Sequence, residues 1–185
     1  MNTVVTSKQE ILNTCLKMIQ EVGWDKINIR SVAAACGVSV GSIYNYFSNK
    51  SELNTAIVES VWKEIFGFPQ SMANLKTIGQ CIEWIYACMQ KGETKYPNFY
   101  SIHAVSFSGL DKKEGQELMF RTWSHIKQSL VYLIQGDNGI KEDAFDDVFT
   151  CEAFVEIIFS YMIASIVQRN YDCKSLLAMV NKLLY

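Results

Sequence analysis

Apolar residues return every three or four positions along most of this chain, which is the period of an amphipathic helix. The first stripe is Ile11, Leu12, Cys15, Leu16, Ile19 and Val22. It opens on Ser7-Lys8-Gln9-Glu10, a capping box in which the serine hydroxyl and the glutamate carboxylate satisfy orphan backbone N–H groups. Gly23 ends it, as a glycine just past a helix does. Asn28 is the expected N-cap of a short second helix that buries Val32, Ala33 and Cys36. Gly37 follows, then Ser39 as a further N-cap, and a third helix is expected over Gly41 to Phe47. Ser48-Asn49-Lys50 breaks the pattern, and Asn49 with Glu52 resembles a second capping box. A long fourth helix then repeats Leu53, Ala56, Ile57, Ser60, Val61, Glu64, Ile65 and Phe68, closed by Pro69.

The pattern stays helical beyond Pro69. Ile78, Ile82, Ile85 and Met89 form one stripe, and Tyr96-Pro97-Asn98 opens an element carrying Phe99, Ile102, His103 and Phe107. Leu118, Trp123, Ile126, Leu130 and Leu133 mark a helix that Gly136-Asp137-Asn138-Gly139 ends. A long helix is expected from Phe145 to Arg169, and the last from Ser175 to Leu184. There is no strand alternation and no repeat, so the expected fold is all-α, with about nine helices. Pro69 and Pro97 are the sole prolines, which suits long helices. From Ala153 to Val167 the long helix is apolar nearly all round. Such a helix needs cover on several sides. Two covers fit: its own domain, around a buried central helix of a monomer, or a partner subunit.

Composition narrows the function classes. With 49% hydrophobic and 19% charged residues, a chain of 185 can bury a core without disulfides or structural metal. The net charge of -2 means that nucleic acid could be held only by a local face. Lys8, Lys17, Lys26, Arg30 and Lys50 are offset there by Glu10, Glu21, Asp25, Glu52 and Glu59. Cysteines 15, 36, 81, 88, 151 and 173 form no CxxC pair, so no metal site is expected. Cys81 and Cys88 share a helix face and fit either a thiol sensor or, without flanking basic residues, inert buried thiols. Met1 to Ser7 has no signal-peptide pattern, and the apolar run Ile157 to Val167 is short for a bilayer, so a cytoplasmic protein without a membrane role is expected. A glycine-rich phosphate loop, a nucleophile elbow and metal-ligand spacing are all missing and histidines number only two, so no enzyme and no cofactor are expected.

The informative segment is Ile27 to Leu53, INIRSVAAACGVSVGSIYNYFSNKSEL. It reads as two short helices joined by a tight turn. Ala33, Ala34 and Ala35 are small enough for a close crossing, Gly37 allows a positive φ, and Val38 and Ile43 would plug the angle between the helices. Tyr44, Tyr46 and Phe47 alone would suit a plain core helix. The turn, the caps and Lys50 favour a helix-turn-helix instead. Its exposed face would present Val40, Gly41, Ser42, Tyr44, Asn45 and Tyr46, with Ser39 at its start. Small residues let a helix N-terminus approach a groove, and hydroxyls and an amide reach phosphates or base edges. Lys50 stands where the fourth helix begins, so an ammonium and a helix N-terminus point together at a phosphate.

With its glycine-valine-serine turn, aromatic third helix and lysine before glutamate-leucine, GVSVGSIYNYFSNKSEL resembles the signature of the TetR family of transcriptional regulators. The resemblance covers about the first 55 residues, Ser7 to Trp24 included. It implies that Gly41, Ser42, Tyr44, Asn45, Tyr46 and Lys50 contact DNA, with Arg30 adding a phosphate contact, while Phe47 and Leu53 are core. Asn45 stands where the family more often has an aromatic or basic residue, and Tyr46 where it often has histidine. Val40 offers a base only an apolar contact, such as to a thymine methyl.

The resemblance further implies a division into a helix-turn-helix domain over 1–52, a connecting helix over 53–69, and an effector-binding and dimerisation domain over 70–185. Aromatic and methionine side chains suit an adaptable apolar pocket. The candidates are Trp84, Met89, Phe99, Tyr100, His103, Phe107, Phe120, Trp123, Phe154, Tyr161 and Met162, although such residues at helical spacing are equally plain core. His125, beside Ser124 and Lys127, is expected on the surface. The function implied is a ligand-responsive regulator, a repressor, that binds a palindromic operator as a homodimer and is released by a small hydrophobic or amphipathic effector. The alternative is a helical homodimeric interaction protein whose helix-turn-helix is structural.

Overall fold

The computed structural model of the chain describes residues 6–67, 75–100 and 112–185, with side chains in the last stretch at Phe120 and from Trp123 onward. Eight α-helices occupy these residues. Helix α1 spans Lys8–Val22 and begins on the expected capping box: Ser7 Oγ accepts from Glu10 N, and Glu10 Oε2 accepts from Ser7 N at 2.8 Å. A short 3-10 turn, Trp24–Lys26, leads to α2, Ile29–Cys36, which Asn28 caps at one end and left-handed Gly37 closes at the other. Helix α3 is Val40–Tyr44, capped by Ser39.

That third helix is shorter than its pattern predicts and starts one residue earlier. At its end Tyr46 N reaches back only to Ile43 O, a tightened bond, and the chain then straightens to φ -158° at Asn49. The straightening is imposed by the next cap, since Asn49 Oδ1 must accept from Glu52 N to open α4, Lys50–Phe66. Gly67, at φ 54°, ends α4 before Pro69 is reached. Helix α5, Ile78–Lys95, starts on Thr77. A new helical segment opens at Phe99 and Tyr100, while Ile102, His103 and Phe107 lie outside the described residues.

Helix α6 is Lys112–Gln135, α7 is Cys151–Gln168 and α8 is Lys174–Leu184. The expected start of α7 at Phe145 is corrected to Cys151. Asp146 Oδ1 accepts from Val148 N at 2.8 Å and Phe149 N at 2.6 Å, and Thr150 Oγ1 caps Ala153 N. Those local bonds offer the backbone an alternative to the helix, so it cannot begin until Thr150 is passed.

Helix α1 packs on α2 and α4, α2 on α3, and α5 on α4, α6 and α8. Ile11, Cys15, Ile43, Phe47 and Leu53 are fully buried at the N-terminal end, and one apolar core continues through Ile57 and Val61 of α4 to Ile78, Ile82, Phe154, Ile158 and Val180. Helix α7 crosses α6, where Lys127 Nζ meets Glu156 Oε1 at 2.5 Å. It is also pinned to α5 by a buried 2.8 Å bond between Tyr86 Oη and Ser165 Oγ. By length and composition α7 could cross a membrane, yet Phe154, Val155, Ile158, Phe159, Met162 and Ile166 are buried inside the protein. Its other face exposes Ile157, Tyr161 and Val167. Cover is therefore needed on that side alone.

The cysteines are free. Burial pushes the thiols of Cys15 and Cys81 up to about 12 and raises that of Cys88, so none of the three is a thiolate near neutral pH.

Gly92 lies buried in α5, where a Cβ would sit 2.3 Å from Tyr100 Oη and 2.8 Å from Ile65 Cδ1. Alanine would gain about 1 kcal/mol in helix propensity, but overpacking costs about 1–3 kcal/mol, and Tyr100 cannot swing away because Oη is held to Met89 O at 3.2 Å. Gly92→Ala is therefore expected to lower the melting temperature by a few degrees; an unchanged or higher value would show that this contact relaxes freely.

Candidate nucleic-acid interface

The wedge behind α3 is built from Val32, Ala33, Ile43 and Phe47, all buried. Of the three adjacent alanines only Ala33 reaches it; Ala34 and Ala35 face solvent. Holding Ile43 and Phe47 inward turns the opposite side of α3 out. Arg30, Ser39, Val40, Gly41, Tyr44, Asn45 and Lys50 are exposed, with Tyr44 at 50%. Ser42 is half-buried, and its N–H and Oγ are both engaged by Ser39 Oγ, at 3.1 and 2.9 Å. Tyr46 departs from the expected free side chain. Its ring packs on the core, and its hydroxyl donates to Thr6 O at 2.5 Å, tying the chain ahead of α1 to the end of α3.

Lys8, at the start of α1, stands 3.9 Å from Glu52 and 5.0 Å over the ring of Phe47. Glu52 Oε2 also accepts from Ser48 N at 2.7 Å, and that bond, with the Lys8 charge, holds its carboxyl below the ordinary glutamate value. The N-termini of α1 and α4 are thereby fastened beside α3. Lys50 opens α4 with its ammonium exposed, at the end where the helix dipole is positive.

Residues 11–57 match the family profile described as bacterial regulatory proteins, tetR family. The match lies within the N-terminal third of the chain, over α1 to the first half of α4. The fold of the chain recurs over nearly the full length of solved structures of such regulators. FadR of Bacillus halodurans, a fatty acid degradation regulator, has a TM-score of 0.64 at 16% identity, over 96% of this chain and 95% of that one. A TetR variant from Acinetobacter baumannii AYE, in complex with minocycline, gives 0.63 at 15% identity over 98% and 99%. BioQ with its natural double-stranded DNA operator gives 0.61 at 16% identity over 97% and 98%. No curated protein sequence matches the chain.

Among the described residues, the candidate effector side chains fall into separate packing groups. Trp84, Phe99 and Tyr100 join an aromatic cluster centred on Trp62 of α4, which stacks on Phe66 at 5.4 Å and meets Phe99 at 5.6 Å and Tyr100 at 5.8 Å. Met89 and Met162 are buried. Trp123 packs with Phe159 and Phe120 instead, and Phe154 with Phe145 and Phe149. Phe120 and Tyr161 are on the outside, 63% and 42% exposed. His103 and Phe107 lie outside the described residues. An open groove between the start of α5 and the end of α6, lined by Leu75, Lys76, Tyr132, Leu133, Gln135 and Gly136, includes none of them.

The aromatic cluster extends to Trp24, whose ring lies 6.2 Å from Phe99. Beside it, buried Tyr96 donates to Glu64 Oε2 of α4, Lys95 pairs with Glu64 Oε1, and Gln20 of α1 bonds to Tyr96. Sequence reasoning passed over this junction, although Glu64 was visible as a charge inside the apolar repeat of α4. Burial pushes the Glu64 carboxyl up, but the bonds from Lys95 and Tyr96 and the lysine charge outweigh it, leaving the carboxyl below the ordinary value of 4.5. Burial and the neighbouring carboxylate push the Tyr96 hydroxyl up, so it stays protonated. A depressed glutamate contributes stability that is fully present above pH 4.5 and is lost as pH falls through the lower folded value. Glu64→Gln is therefore expected to flatten the loss of stability below pH 4.5 in urea titrations; an acid slope equal to that of wild type would remove Glu64 from this role.

Proposed function

We propose that this chain is a regulator of the TetR family, a ligand-responsive repressor that binds a palindromic operator as a homodimer, in the cytoplasm. Residues 1–52 would form the DNA-binding head, 53–69 the connecting helix, and 70–185 the effector-binding and dimerisation domain. The observation that carries the reading is the outward face of α3 beside Lys50, set on a fully buried wedge. Gly41 adds to it. Its own surroundings demand no glycine: φ is not positive there, and a Cβ would meet only Ser39 Oγ at 3.7 Å. A bare backbone at that point leaves room for the close approach of a DNA groove. BioQ, alike in fold, has been solved with operator DNA.

The dimer reading rests on α7. Ile157, Tyr161 and Val167 are exposed along a helix whose opposite face is sealed in the core, and a second copy of the same stripe would cover them. Two heads in one dimer can then reach successive major grooves, about 34–36 Å apart. Ile157→Lys is expected to shift sedimentation toward monomer, and an unchanged dimer would place the interface elsewhere.

The effector reading rests on the aromatic cluster at Trp62, Trp84, Phe99 and Tyr100, which abuts α4 and so couples occupancy to the connector. Its chemistry fits a small hydrophobic or amphipathic molecule; a fold relative is seen with minocycline.

Selection of duplexes from a random pool by the purified chain tests the core of this reading. A recovered palindrome is the expected result. Tyr44→Ala should then weaken binding by about tenfold or more, at roughly 1–3 kcal/mol per specific contact. Lys50→Ala should reduce the slope of affinity against salt by about one ion. Both side chains are exposed, so melting should not change. A folded dimer that selects no duplex would favour an interaction protein with a purely structural helix-turn-helix.

A further inference from the structure

Among the described residues two that are not glycine hold a positive φ, Asn98 at 65° and Arg169 at 52°. They bond to each other. Arg169 is the left-handed residue that ends α7, with its N–H bonded to Ile166 O and the next N–H returning to Ser165 O. Its Nη2 donates to Asn98 Oδ1 at 2.6 Å, and its Nε lies 3.8 Å from Glu93 Oε1. Left-handed side-chain-bearing residues persist where their surroundings hold them, and here each is held by the other's element.

Asn98 sits in the turn that follows α5, closed by Phe99 N to Tyr96 O at 3.0 Å. The residues around it face the N-terminal helices. Tyr96 binds Glu64 of α4 and Gln20 of α1, and Phe99 meets Trp62 of α4 and Trp24 of the turn that joins α1 to α2. This four-residue turn is thus gripped by the end of α7 on one side and grips α1, α4 and the Trp24 turn on the other. The helix at one end of the chain of contacts carries the exposed apolar stripe; the helices at the other end carry α3.

We propose that Arg169 and Asn98 are positioning residues for DNA binding, fixing the head against the helix that faces the partner subunit and so setting the separation of the two recognition helices. The proposal rests on the reading of the chain as a DNA-binding dimer. Neither residue touches the outward face of α3. They act through the turn, and the quantity they control is spacing, which matters only when both heads engage at once.

Two substitutions at one position separate this role from mere support of the fold. Asn98→Gly keeps the left-handed turn, which glycine adopts without strain, and removes the oxygen that Arg169 holds. Asn98→Asp keeps an oxygen, now charged, in a residue that also tolerates the left-handed region. The measurement is the affinity of the full-length chain, at fixed salt, for the palindromic duplex selected by wild type and for a duplex carrying one half-site, with melting recorded alongside. Asn98→Gly should bind the palindrome roughly three- to tenfold more weakly and the half-site unchanged, without a lower melting temperature. Asn98→Asp should stay within about twofold of wild type on both. Arg169→Gly, which also preserves the left-handed cap, should reproduce the first pattern. Wild-type binding of the palindrome by both glycine variants overturns the proposal, as does an equal loss on palindrome and half-site. If wild type selects no duplex, the DNA-binding reading fails first and this one with it.

Discussion

Helix α4 must satisfy two environments at once. Its first turns bury Leu53 and Ile57 under α1 and beside the wedge of α3, while its last turns bury Val61 and Phe66 against α5 and the aromatic cluster. One rigid helix in both cores means that neither can shift without moving the other, because packed interiors transmit displacement and do not absorb it. The apolar face of α4 is therefore the constraint on which the placement of α3 depends. Residues elsewhere acquire meaning by how they bear on it.

The junction beside α4 mixes apolar and polar contact in an informative way. Trp24, Trp62, Phe66 and Phe99 supply area, which is non-directional and permits sliding. Glu64, Lys95, Tyr96 and Gln20 supply directed bonds among α1, α4 and α5, which do not. A joint made of both can hold one angle firmly and still re-form at another. The left-handed pair Asn98 and Arg169 extends the joint to α7.

Around the outward face of α3 the chain carries little charge. Its net charge is -2, and much of the basic complement is locally offset, as where Lys8 faces Glu52. What distinguishes the face is geometry: small residues at the start of α3, a half-exposed Tyr44, and Lys50 at a helix N-terminus. Tyr46 illustrates how close core and surface lie in so short a helix. Two residues beyond Tyr44, its ring packs on the core and its hydroxyl secures Thr6.

The sequence by itself determined the all-α class, the caps at Ser7, Asn28, Ser39 and Asn49, the turn at Gly37, and the N-terminal motif that the family profile matches. Each is a local property, set by side chains bonding to backbone a few residues away or by the period of apolar positions. Local chemistry also explains the boundary errors: Gly67 and the bonds of Asp146 were present in the sequence but were outweighed by apolar periodicity. Only tertiary structure decided the rest. It separated Ala33 from Ala34 and Ala35, turned Tyr46 inward, scattered the aromatic candidates among separate clusters, and brought Glu64 to Tyr96 and Asn98 to Arg169. Those pairings join residues 32 and 71 positions apart. Which aromatic meets which depends on helix crossings, and composition and period carry no information about a crossing until the helices have packed.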